Sequence, residues 1–285
     1  MNETPHSSPK PIDPAVARVG APGPIEGRPE KRHLSFTQLN MFLRCPRQYE
    51  YRYIRGIKAP PSGAMVQSRV WHQTVERNYR QKIESDRDLT LGEMQEFFAA
   101  QFDVALGSEE IAFEPDEKPG KLKDQGTAIV AAHHKTIAPA VRPLLVEERF
   151  TVDLGEDFPF DLVGVWDLVE RDGTIADNKA YGKAPRQEDL DKDLQFTAYA
   201  LGYRTTHGRA EPGLRMDAIV KTLNPRAVQL HTRRTNDDCR WLLGLIEEVG
   251  QAIDSGIFYP NPNGWHCSPR FCGYWGLCMG SKNGR

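Results

Sequence analysis

The chain has 285 residues, 39% of them hydrophobic and 27% charged, with a formal net charge of −2. That length can bury one large core, and the near-neutral balance excludes a uniformly basic nucleic-acid coat. No stretch approaches the roughly 18 apolar residues of a membrane span, and no apolar signal segment opens the chain, so a cytoplasmic protein without a membrane partner is expected.

Residues 1–30 are rich in Pro and small residues and lack apolar periodicity, which predicts a disordered tail ahead of a single domain over 31–285. Order is expected from Leu34. Ser35 and Gln38 have capping-box spacing, Leu39, Phe42 and Leu43 recur at helical spacing, and Pro46 should end or kink that helix. From Lys31 to Lys58 there are seven Lys or Arg residues and one acid, Glu50. Within this run Arg44, Arg47, Arg52, Arg55 and Lys58 are candidate phosphate contacts, with a solvated, snorkelling face as the alternative.

Helices are predicted over 64–83 and 90–106, an acidic loop over 107–124 and a helix over 125–140, making 64–140 a helical region. A core over 144–255 follows. It comprises strand-like runs at 144–154, 160–170 and 174–179, a helix over 188–206, strands at 214–222 and 227–232, and a helix over 236–255. Asp172-Gly173 and Asn224-Pro225 supply the turns. The Cys-rich segment 256–285 is predicted to be irregular. This order gives a mixed α/β class with a central sheet flanked by helices.

With a tight turn at 171–173, Asp167 and Asp177 come to face each other across an antiparallel ladder. Opposed carboxylates repel unless a cation lies between them, and hard oxygen ligands suit Mg²⁺ or Mn²⁺. Lys179 is two residues from Asp177 and shares its face, where it could orient or deprotonate a water or neutralise transition-state charge. Gln195 and Tyr199 share a helical face.

Together these residues resemble the PD-(D/E)XK nuclease superfamily, in particular its RecB-like and Cas4-like exonucleases. Asp167 and Asp177-Asn178-Lys179 look like its second and third motifs, Gln195 to Ala200 like Q-x-x-x-Y-A, and Trp71 to Glu76 like the end of G-x-x-x-H-x-x-x-E, with Ser68 in place of the glycine. Leu34 to Tyr53 resembles the opening segment of Cas4-like and AddB-like members. The resemblance implies a restriction-endonuclease-like core and a divalent-metal deoxyribonuclease with Asp167, Asp177, Lys179, Gln195 and Tyr199 in the catalytic set. It further implies His72, Asp167, Asp177 and the Asn178 carbonyl as metal ligands, and Glu76 as a supporting or surface acid. DNA is then the partner. Without a P-loop in this chain, any unwinding would need a helicase or recombination partner.

Cys45, Cys267, Cys272 and Cys278 suit zinc or an iron–sulfur cluster equally well by ligand softness. Resemblance to AddB-like proteins implies [4Fe–4S]. Cys272 and Cys278 keep the C-x5-C spacing, whereas Cys267 and Cys272 are C-x4-C where the family has C-x2-C. Zn²⁺ is the alternative, with His266 as a substitute ligand, and would suit a scaffold or a non-catalytic DNA-binding protein. Cys239 is expected to be a buried apolar residue.

Overall fold

A computed structural model describes residues 32–156 and 158–280. The tail expected over 1–30 lies outside the described residues. A short strand, β1 (His33–Ser35), leads into α1 (Phe36–Arg44). The Ser35 side chain accepts from the Gln38 amide and Gln38 reaches back to Ser35, so the expected capping box forms. Pro46 does more than end α1. It sits at the first position of α2 (Pro46–Tyr49), which runs on into a π-helical turn, Glu50–Ile54.

Three longer helices follow: α3 (Gly63–Ser85), α4 (Leu91–Ser108) and α5 (Pro119–Thr136). α5 begins six residues earlier than the apolar pattern predicts. Pro119 explains this, because a proline at the first helical position forfeits no hydrogen bond and pre-sets φ.

The sheet comprises β1, β2 (Pro143–Val152), β3 (Asp161–Glu170), β4 (Ile175–Tyr181), β5 (Leu214–Val220) and β6 (Arg226–Thr232). The path β1-β3-β4-β5-β6 mixes parallel and antiparallel pairs, with β2 also on β3. β2 covers β3 along its length from Leu162 to Glu170. On the opposite side, β1 pairs with Asp161 to Val163 and β4 with Leu168 and Val169. Between them, Gly164 to Trp166 pair with β2 alone.

The helix expected over 188–206 is two helices, α6 (Gln187–Asp191) and α7 (Leu194–His207), because Asp193 interrupts it and caps α7 by accepting from the Gln195 amide. α8 (Asn236–Asp254) completes that layer. The Cys-rich segment is not wholly irregular: Trp275–Met279 form a one-turn helix, α9.

Two apolar cores sandwich the sheet. α1, α7 and α8 cover one face with Leu39, Phe42, Phe196, Tyr203, Leu242 and Ile246. α3, α4 and α5 cover the other with Val70, Trp71, Tyr79, Phe98 and Ile129. The expected α/β arrangement is borne out.

Candidate active site

The turn at Asp172-Gly173 sets the register. Gly173 has a φ of 91°, available to glycine without strain, and the Asp172 side chain accepts from the Thr174 amide. Leu168 then pairs with Ala176, and one step further Asp167 lies beside Asp177, the Asn178 amide donating to Asp167 Oδ2 at 3.1 Å.

β2 approaches from the other side with an irregularity. Val146 pairs with Leu168 and Glu148 with Trp166, while Glu147 and Asp167 are skipped. Glu147 has a left-handed φ of 51°, a conformation that costs a non-glycine residue roughly 1–2 kcal/mol. Val146 and Leu168 pack in the α3–α5 layer, whereas Phe150 and Trp166 pack in the α7–α8 layer. Residues two or four apart on a regular strand share a face, so both strands turn over at Glu147 and Asp167. The turnover brings these two carboxylates together with His72 of α3, with one ligand atom of each within 4.8 Å of the others. Sequence reasoning missed Glu147 because no motif marks it within the strand-like run 144–154.

Asp177 is fully buried and held by three donors. Its Oδ1 accepts from Gln195 Nε2 at 3.1 Å and Tyr199 OH at 3.0 Å, and Lys179 Nζ lies 2.7 Å from Oδ2. Gln195 Nε2 also reaches Tyr199 OH at 2.7 Å, so the two α7 residues act as one bracket. α7 sits close to the sheet because Gly202 and Gly164 have no Cβ, which would collide with the Phe150 ring.

Charge governs the centre. Burial, the Asp177 charge and then Glu147 push the Asp167 carboxyl well above the usual range, against the pull of Lys179. Burial likewise raises Glu147, helped by Glu76 and Asp177. Burial alone would lower Lys179, but Asp177 and Asp167 outweigh it, so the ammonium stays protonated. Burial and Lys179 bring His72 down to about 4, leaving a neutral imidazole. Three carboxylates thus share one cationic side chain and a neutral nitrogen. This donor set fits a divalent cation, whose charge would hold Asp167 and Glu147 ionised.

Asn178, on the opposite face of β4 from Asp177 and Lys179, is buried. Behind it lies His133, fully buried, in hydrogen-bond contact with Tyr79 OH and also brought down by burial to about 4. For both histidines the folded state refuses protons that the unfolded chain accepts near pH 6.5. The histidine contribution to stability therefore falls as pH drops from about 6.5 towards 4, by up to about 1.4 kcal/mol per pH unit for each histidine, while the raised Asp167 and Glu147 carboxyls act in the opposite sense. Urea midpoints at pH 7 and pH 5 test this, and His133→Gln should remove one histidine's share of the drop.

The start of α7 is fastened by Arg234, just past β6. Its five N–H donors go to Thr197 Oγ1, Thr232 Oγ1 and the carbonyls of Arg233, Leu190 and Asp193. Arg234 is 7% exposed and none of these acceptors is a carboxylate. It clamps the α6–α7 junction, two residues from Gln195. No motif marks it in the sequence.

The expected phosphate-contacting residues are only partly free. Glu50, buried, pairs with Arg47 at 2.6 Å and with Arg55 at 2.5 Å. Arg44 donates to Gln48, Arg52 lies over the Tyr53 ring, and Lys58 is exposed. Glu76 pairs with Arg80 beside Glu147.

Cys45, Cys267, Cys272 and Cys278 line one small enclosed space together with His266. Gln48 Nε2 lies 3.1 Å from Cys272 Sγ. Burial raises the Cys267 thiol, and Cys272, Cys45 and Cys278 raise it further. Cys239 stands apart, buried in α8 with Arg204 Nη1 at 3.7 Å from its sulfur.

A solved structure of a candidate exonuclease from Eubacterium rectale is similar to this fold, with a TM-score of 0.53 and 14% identity over 89% of this chain and 88% of that one. The solved structure of SSO0001 gives a TM-score of 0.42 and 11% identity, with the same coverage of each chain. Identities this low concern the fold alone. No curated protein matches the sequence. The PD-(D/E)XK nuclease superfamily model matches residues 33–279, most of the chain and every residue of the carboxylate centre, and the protein belongs to that superfamily.

Proposed function

We propose that the protein is a deoxyribonuclease that hydrolyses DNA phosphodiester bonds with one or two divalent cations, Mg²⁺ or Mn²⁺, and works from DNA ends. The observation that carries this reading is the excess of carboxylates over cations where the half-buried Glu147 and Asp167 meet beside the fully buried Asp177. His72, Glu147 and Asp167 would hold the metal, with Asp177 and the Asn178 carbonyl on the adjoining strand. A cation bound there would acidify a water and absorb charge on the phosphate. Lys179, kept protonated by Asp177, donates charge and a hydrogen bond to the developing phosphorane oxygens and does not act as the base. Gln195 and Tyr199 keep Asp177 oriented.

We further infer that Cys45, Cys267, Cys272 and Cys278 hold a [4Fe–4S] cluster, as in AddB-like and Cas4-like members. The four cysteines gather around one small enclosed space, and Cys272 and Cys278 keep the C-x5-C spacing of those members. No helix of the described chain is long and apolar enough to cross a membrane, which accords with a cytoplasmic role in DNA recombination, repair or phage- and CRISPR-linked processing, alongside a helicase or recombination partner.

End-labelled single- and double-stranded DNA incubated with Mg²⁺, Mn²⁺ or EDTA tests the proposal. Label released as short products from the ends, with either metal and not with EDTA, is the expected result. Intact DNA under every condition would overturn it.

A further inference from the structure

A cleft of about 620 Å³ opens directly onto Asp167 and Tyr199. Its floor includes Gly164 and Val165, in the stretch of β3 that carries β2 on one side and no strand on the other. Phe36 at the start of α1 and Tyr53 within the π-turn line the cleft, both partly exposed. His33 and Arg149 add polar and cationic side chains. Arg149 is exposed and forms no ion pair among the described residues, unlike Arg47 and Arg55. The cleft thus combines an arginine without an ion pair among the described residues, two aromatic rings and Asp167 of the carboxylate centre.

Resting on the nuclease reading above, we propose that this cleft is the subsite for the nucleotides next to the scissile phosphate, and that it takes a single DNA strand. A volume of this size accommodates a small ligand, roughly one or two nucleotides, and not two paired strands. Aromatic side chains stack on bases that are unpaired. The β1–β4 gap exposes β3 backbone groups that would otherwise be paired within a sheet, and these are hydrogen-bonding positions for a sugar or base edge. Arg149 takes the backbone phosphate, and Tyr53 and Phe36 take base faces. A duplex end would have to fray before its terminal strand reached Asp167.

The test separates binding from cleavage. Fluorescence anisotropy in EDTA measures the affinity of the full-length protein for a short labelled poly-dT strand and for a blunt duplex of the same length, at fixed salt. Tyr53→Leu and Arg149→Glu should each weaken poly-dT binding about tenfold, the scale of one lost stacking or phosphate contact, and change duplex binding by less than twofold. Both side chains are at least partly exposed, so circular dichroism should show an unchanged fold. Poly-dT binding within twofold of the wild type in both variants would overturn the subsite. Equal losses on strand and duplex would also overturn it, as general electrostatics. A wild-type protein that binds neither form would instead sink the nuclease reading itself.

Discussion

Asp167→Asn and Lys179→Ala should each slow cleavage roughly a hundredfold to a thousandfold or more, the scale set by losing one charged partner of a transition state. Their effects on stability should have opposite signs. Asp167 is ionised only against burial and the Asp177 charge, so a neutral amide relieves repulsion while its carbonyl oxygen still accepts from the Asn178 amide. The metal-free melting temperature of Asp167→Asn should hold or rise, and Mg²⁺ should no longer raise it. Lys179→Ala leaves the fully buried Asp177 without its cation. The lysine is 26% exposed, so the loss is nearer about 2 kcal/mol than the larger cost of breaking a fully buried pair. That loss should shrink when Mg²⁺ is added. Cleavage assays paired with thermal melts, with and without EDTA, read both signs. Near wild-type cleavage by either variant at saturating metal would refute the site.

Protein purified without oxygen should be brown and contain iron and acid-labile sulfide. Replacing Cys45, Cys267, Cys272 or Cys278 with alanine should bleach it and destabilise the fold. For Cys45 the loss is about 5 kcal/mol, because the connection it closes spans more than roughly two hundred residues and closure entropy grows with the logarithm of length. Cys239→Ala should leave colour and cluster content unchanged, since its sulfur touches Arg204 and none of the other thiols. Cys45 decides between the alternatives. A zinc site built from the three C-terminal cysteines and His266 would tolerate its loss. Colourless protein with stoichiometric zinc that is indifferent to Cys45→Ala would replace the iron–sulfur assignment and leave the carboxylate centre untouched.

Much of the centre was legible because its logic is local. Counting outward from Asp172 set Asp167 against Asp177, and a two-residue step put Lys179 on the same side as Asp177. A four-residue step paired Gln195 with Tyr199. The residues that escaped depend on breaks in periodicity. Glu147 lies in a run that reads as a plain strand, and only its left-handed backbone turns the carboxylate inward. Arg234 works through two threonine hydroxyls and three backbone carbonyls, an acceptor set without a carboxylate that no sequence motif announces. The division of α6 from α7 was written in Asp193, a capping residue hidden inside an otherwise continuous helical pattern.

The two ends of the described chain are laced together. The Arg47 amide donates to the Tyr259 carbonyl, Asn261 to the Arg44 carbonyl and Tyr274 to the Ile57 carbonyl, while Gln48 reaches Cys272. Every member of the carboxylate centre, from His72 to Tyr199, lies between these partners in sequence. On the ribosome, therefore, the chemistry-bearing residues emerge well before the segment that braces α1 and α2 exists. Contacts of such long sequence separation form late and slowly. A nascent chain would carry a full complement of acids over an unfinished frame until Tyr259, Asn261, Cys272 and Tyr274 arrived to brace α1 and α2.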